Sequence, residues 1–263
     1  MTQEAKKEDV KKEEPKHEVA KVQQNEIASF ESGAWGAGQE ITQEDLVVGK
    51  ILIMQPQSRA VIKGKAKMGE FRGSLDDRLY SNAQGEVDVV VFSQDKVWIV
   101  YETVTDNKGK KTTEWRETIP WTLQNAKLPW NEVVDGRNIN RQKAFNFYCI
   151  VRDKDYAFNL PVIVRMKSTS YTTGRRLSTL FAQLAAQNKP SASKVLTLSC
   201  TQQENDQGVF YVWEFAEREN TTPEEMKIAY KWYVGMKQSQ FKVDESEESG
   251  TSTVNDEDSV DFL

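Results

Sequence analysis

The sequence predicts a mainly β protein with two helices, flanked by charged ends that do not fold. Three observations predict it. Short runs rich in Val, Ile, Phe, Tyr and Trp follow one another closely, separated by polar turn residues. Only two stretches, one near 175–187 and one after Thr222, place apolar residues at helical spacing. Both ends are charged and low in complexity, with too little apolar surface to offset the entropy of ordering.

The elements follow in chain order. MTQEAKKEDVKKEEPKHEVAKVQQ, residues 1–24, is rich in Lys and Glu and interrupted by Pro15. With the Gly-rich SGAWGAG at 32–38 it reads as a flexible arm and linker over 1–38. Regular structure starts at LVVGKILIM (46–54). VDVVVF (87–92) and KVWIVYETV (96–104) are expected as two strands joined by a short turn, and DNKGK (106–110) leads into TEWRETI (113–119). FNFYCIVR (145–152) and YAFNLPVIVRMK (156–167) flank the polar turn DKD as a hairpin. Leu177, Leu180, Phe181 and Leu184 fall at i, i+3, i+4 and i+7 and predict the first helix. KVLTLSCT (194–201) and GVFYVWEFA (208–216) make a second hairpin through QQENDQ. The last helix opens with Thr222 as cap, Pro223 at the first helical position and Glu225 completing a capping box. Met226, Ala229, Tyr230, Tyr233 and Val234 are its expected buried stripe.

Five strands with a helix between the third and fourth is the plan of an OB-fold-like β-barrel. Residues 46–80 and 113–140 are then additional strands or long loops. A β-sandwich with two decorating helices fits the same order. The body is expected over 39–243, and a disordered acidic tail over 244–263.

Composition narrows the chemistry. The formal net charge of −5 sums three unlike pieces. Residues 1–24 carry six Lys and six acidic residues; the tail carries eight Asp or Glu and no Lys or Arg; the remainder, 25–243, is left at +3. The only histidine, His17, sits in the arm, which disfavours a histidine general base, a Ser-His-Asp triad and the usual zinc sets. No phosphate loop and no dinucleotide fingerprint is present. Cys149 and Cys200 lie in apolar runs and read as core residues, outside any disulfide or metal framework. No enzyme activity, cofactor or metal is expected. The absence of a signal pattern or a long apolar run implies a cytoplasmic protein with no membrane partner.

Positive charge is segregated in three stretches. RAVIKGKAKMGEFRG (59–73) holds Arg59, Lys63, Lys65, Lys67 and Arg72 against one Glu, with three glycines that make it pliable. RMKSTSYTTGRR (165–176) holds Arg165, Lys167, Arg175 and Arg176 with Tyr171 and no acid. GRNINRQK (136–143) adds Arg137, Arg141 and Lys143. Segregated cations suit a polyanion. In KVWIVYETV, strand alternation sets Trp98 on the polar face with Lys96; Trp115 alternates with Thr113 and Glu117, and Tyr148 shares a face with Asn146 and Arg152. Aromatics beside Lys and Arg on polar faces suit a platform for unstacked bases, each worth about 1–3 kcal/mol. The expected DNA-binding set is Arg59, Lys63, Lys65, Lys67, Arg72, Trp98, Trp115, Tyr148, Arg152, Arg165, Lys167, Tyr171, Arg175 and Arg176.

With its strand-rich body, interleaved aromatic and basic residues and acidic tail closing on NDEDSVDFL, the chain resembles phage-encoded single-stranded DNA-binding proteins of the replicative kind. DLVVGKILIMQPQS (45–58) with KMGEF (67–71) is also similar to a phage family. The resemblance implies binding and protection of single-stranded DNA in replication and recombination, in the host cytoplasm. It also implies a tail that competes with DNA for the cationic groove. Once released, its tip (Asp256, Glu257, Asp258, Asp261, Phe262 and Leu263) would recruit replication, recombination or transcription proteins. Tips of the class end on Phe, whereas here Leu263 follows Phe262. Two other functions fit the residues: an interaction protein engaging a host enzyme without DNA, and a Mg²⁺-dependent nuclease using Asp76, Asp77 or Asp88.

Overall fold

The computed structural model describes residues 47–105, 111–152, 160–206, 208–238 and 242–245. The protein is mainly β. One strand organises it: β4, Val87–Thr105. Its two apolar runs were expected as separate strands with a turn between them, but Ser93, Gln94 and Asp95 stay in the ladder opposite Tyr148, Phe147 and Asn146. A bulge between Val91 and Ser93 absorbs the extra residue instead, so the polar triplet bends the strand without ending it.

The remaining strands are β1 (Val47–Val48), β2 (Lys50–Ile53), β3 (Phe71–Gly73), β5 (Lys111–Pro120), β6 (Asn131–Val134), β7 (Arg137–Val151), β8 (Pro161–Lys167), β9 (Lys194–Asn205), β10 (Gly208–Asn220) and β11 (Lys242–Val243). Eight of them join β4 in one nine-stranded sheet, in the order β10-β9-β4-β7-β8-β2-β3, with β5 on β4 and β6 on β7. The hairpins β7–β8 and β9–β10 are antiparallel as expected, while β2 joins β8 in parallel. β7 begins eight residues earlier than its apolar run, because Asp135 and Gly136 (φ 51° and 78°) make a two-residue turn from β6.

The expected closed barrel does not form among the described residues. No ladder joins β3 to β10. Side chains bridge them: the Gln55 amide donates to Tyr211 O and accepts from Tyr211 N, both at 2.8 Å, and Phe71 stacks on Trp213 at 4.7 Å.

Each face of the curved sheet carries a helix. On the inner face, Val89, Val91, Phe145, Phe147, Cys149, Val162 and Val164 meet Leu177, Phe181 and Leu184 of α2, Tyr171–Ala186. Full burial of each large apolar side chain stabilises by roughly 1.5–3 kcal/mol. Gly174 is needed where α2 crosses β7, since a Cβ there would stand 2.9 Å from the Phe145 ring. On the outer face, Val90, Phe92, Tyr148, Ile150 and Ile163 pack under α3, Pro223–Gln238. Its capping box is formed, with Thr222 N donating to Glu225 at 2.8 Å and Glu225 N to Thr222 Oγ1 at 3.2 Å. The buried stripe is rotated from the expected one: Met226, Ala229, Trp232 and Met236 face the sheet, while Tyr230 and Tyr233 are 67 % and 39 % exposed. Trp232, the bulkiest apolar residue of the helix, lies on the sheet side with the fully buried Ala229. A third helix that the sequence did not predict, α1, is a single turn at Arg59–Ile62 within the basic segment. The arm 1–38 and the tail beyond Glu245 lie outside the described residues.

Candidate nucleic-acid interface

The basic stretches occupy different places. Arg59, Lys63, Lys65 and Lys67 are all exposed on α1 and the loop after it, and none has an ion pair among the described residues. That loop rests on the β9–β10 hairpin, where Cys200 Sγ contacts Gly69 O at 3.3 Å and the Tyr211 ring crowds Gly69. Arg72 is half-buried between Glu70 (3.2 Å) and Asp77 (3.5 Å).

Arg165, Tyr148 and Trp98, each expected at the surface, are not there. Arg165 is 7 % exposed on the outer face. Its guanidinium grips both carboxylate oxygens of Glu245 at 2.6 and 2.9 Å, and Nε donates to Asn146 at 2.8 Å. Lys50, 1 % exposed, adds a contact of 2.8 Å to the same carboxylate, and Thr118 donates to it at 3.0 Å. Glu245 reaches this cradle because β11 pairs in parallel with β1 and Asp244 N donates to Val48 O. Burial disfavours the Glu245 carboxylate ion, but Arg165 and Lys50 outweigh it and hold the acid below its ordinary range. Tyr148 is buried beside this cluster with its hydroxyl donating to Asp95 at 2.9 Å.

Of the others, Arg152 pairs with Glu219 and Glu225, Arg176 with Glu214, and Lys167 donates to the Tyr101 hydroxyl at 2.8 Å. Trp115 is half-buried against Val97, Ile99 and Ala144. Arg175 is exposed and Tyr171 half-buried, both at the start of α2.

Trp98 does share a face with Lys96, as alternation requires, but it is wholly buried. The segment 121–130 lies over it: Trp98 Nε1 donates to Asn125 O at 3.2 Å, and Asn125 itself is fixed by Thr122 N and by its own bond to Pro120 O. That segment brings two aromatics that sequence reasoning missed. Lys96 Nζ lies 4.2 Å from the Trp121 ring centre. Lys143 Nζ lies 4.8 Å from Trp98 and 5.3 Å from Trp130, and the two indoles meet edge-to-face at 5.8 Å. Trp130 is 54 % exposed. Tyr171 stacks on Phe145 at 5.1 Å and closes the row.

This row of alternating cations and rings flanks a cleft of about 310 Å³ lined by Trp130, Asn131, Asn140, Gln142, Lys143 and Tyr171. Its field is positive and partly desolvated. Burial, and then the nearby Arg175, pull the Lys96 ammonium below its usual pKa. Burial pushes the Tyr171 phenol up, against the opposing pull of Lys143 and Arg175. Cations held against indole faces are attracted by the ring quadrupole, by about 0.5–2 kcal/mol each. Such a surface offers both charge for phosphate and an open ring for a base.

Asp76 and Asp77 occupy a turn, Asp88 is engaged by Thr197 and Arg218, and among the described residues no group of three His, Cys, Asp or Glu could hold a metal ion. Among the described residues, no helix is long and apolar enough to cross a membrane.

Comparison with curated proteins and with solved structures finds no match. A family model does match, described as Pam3 phage gp34-like protein, over residues 13–242. That span takes in all three helices, the whole nine-stranded sheet and the cation–aromatic row, and the chain belongs to this phage protein family.

Proposed function

We propose that this phage protein binds and protects single-stranded DNA during phage replication and recombination, through the cation–aromatic row of the inner face. The observation that carries the reading is Trp130, an indole more than half exposed, beside Lys143, which is held against two indoles at once. A base stacked on Trp130 gains about 1–3 kcal/mol, while Lys96, Lys143 and Arg175 supply charge along the same face. A duplex, whose bases are already stacked, gains only the charge. The four exposed cations of the α1 segment supply a second basic patch, against the β9–β10 hairpin. If about five phosphates are neutralised, log K falls against log salt with a slope near −3.5.

The acidic tail completes the reading. Anchored at Glu245, the residues beyond it carry six Asp or Glu and the Phe262-Leu263 tip. In the free protein they compete with DNA for the basic face; once displaced, they recruit replication, recombination or transcription proteins.

A gel-shift titration with single- and double-stranded DNA at two salt concentrations tests this. Preference for the single strand, weakened about 5- to 150-fold in Trp130→Ala, is the expected result. Equal affinity for duplex, or no binding, refutes it and favours an interaction protein acting without DNA.

A further inference from the structure

A second cavity, of about 250 Å³, opens where the β1–β11 pair meets the turn after β3. Its lining is largely apolar: Val47, Leu75 and Leu160, each about half exposed, with Pro161 and Trp232. Leu75 is held over Gly49, where a Cβ would stand 3.2 Å from its side chain. Ser74 and Asp76, the polar side chains of the turn, brace it locally: Ser74 Oγ accepts from Lys50 N at 2.9 Å and Asp76 Oδ1 from Arg78 N at 3.1 Å. Exposed apolar side chains gathered round a cleft mark a docking site. The C-terminal tail starts at this cleft. Asp244 N donates to Val48 O at 3.0 Å and Lys50 Nζ contacts Glu245 at 2.8 Å, and both Val48 and Lys50 line the cavity. Eighteen residues follow Glu245, and among them only Val254, Val260, Phe262 and Leu263 carry apolar side chains.

We propose that Phe262 and Leu263 seat in this cleft, beside the root of their own tail, and stay there until a partner protein draws them out. The inference rests on the tail reading above and adds a berth for the tip, apart from the cation–aromatic row. The chain from Glu245 to Phe262 reaches about 55–60 Å when extended, ample for a cleft that its root already touches. A short tether holds the tip at an effective concentration of about a millimolar, so weak affinity is enough to fill the cleft. Bound as an extended strand, the tip would turn Val260 and Phe262 towards the apolar walls and Asp261 away from them. Arg78, whose guanidinium carbon lies 5.7 Å from the centre of the lining Tyr80 ring, supplies a cation there for Asp261 or the terminal carboxylate. The cleft takes only the tip. The acidic residues before it, closed into a loop, keep their contest with DNA.

The test adds the peptide NDEDSVDFL to two full-length chains, the wild type and one carrying Phe262→Ser with Leu263→Ser, and follows binding by nuclear magnetic resonance shifts of the cleft amides. The peptide should bind the double variant, and bind the wild type about tenfold more weakly, because the wild-type tip competes at about a millimolar. The same peptide carrying both serines should not bind. Leu75→Asp and Leu160→Asp, made at exposed positions of the double variant, should abolish peptide binding and leave its oligo-dT affinity unchanged. Equal binding to both chains, binding that survives Leu75→Asp and Leu160→Asp, or none at millimolar peptide overturns the proposal. A wild-type dimer that Leu75→Asp dissolves gives the cleft to a second copy and overturns it too. Failure of every chain to bind oligo-dT overturns the single-strand reading instead, and the peptide result still decides the cleft.

Discussion

Replacing Glu245 by Gln should unfold the body far more easily than its place at the root of an acidic tail suggests. The carboxylate receives two bonds from Arg165, one from Lys50 and one from Thr118, all between 2.6 and 3.0 Å. Lys50 and Arg165 are almost fully buried, so neutralising Glu245 removes the carboxylate that both desolvated cations contact. Removing one partner of such a cluster costs about 3–5 kcal/mol. For a body of this size that is a fall in Tm of about 6–20 °C. Thermal unfolding followed by near-ultraviolet circular dichroism measures it. The pH dependence gives the sign. Glu245 has its folded pKa below the ordinary value, so its contribution is fully present above the unfolded pKa, 4.5, and is lost as pH falls through the folded one. The gap between wild type and Glu245→Gln should therefore be widest near neutrality and close in acid. A loss below about 1 kcal/mol, the range of a surface ion pair, or a gap unchanged down to pH 3, would refute the reasoning.

Three further outcomes follow from the same geometry. A chain ending at Val243 should lose the stability that Glu245→Gln loses, whereas one ending at Glu245 should keep it, bind oligonucleotides at higher salt and fail to recruit partners; unchanged affinity in the second chain rules out tail competition. Gly174→Ala should destabilise by about 1–2 kcal/mol in urea titration, because the new Cβ meets Phe145 at 2.9 Å and Met166 at 3.2 Å, outweighing the roughly 1 kcal/mol gain in helix propensity. Lys143→Met should lower single-strand affinity and make the salt slope shallower by about 0.7, the share of one phosphate.

Local signals in the sequence were strong where chemistry is local. The capping box at Thr222 and Glu225 and the Leu177, Phe181, Leu184 stripe fix α3 and α2 without help from distant residues. Asp135-Gly136 is also a legible two-residue turn, since both residues suit positive φ. The bulge at Phe92 was not, because Ser93, Gln94 and Asp95 look like a turn until β7 supplies their ladder partners. Face parity for Trp98 was right and its exposure wrong: alternation says which side a residue faces, not what the chain later lays over it. Arg165 misled for the same reason. Its counter-charge is 80 residues away and Lys50 is 195 residues from the same carboxylate, so nothing near either cation marks it as buried. Trp121 and Trp130 sit in an irregular segment with no periodicity, and only their contacts with Lys96 and Lys143 reveal them.

Intrinsic tryptophan fluorescence, titrated with oligo-dT in the wild type and in Trp130→Leu, bears most directly on an exposed indole gripping an unpaired base. Quenching in the wild type that largely disappears in the variant is the predicted result. Full quenching in Trp130→Leu, or none in the wild type at low salt, contradicts it.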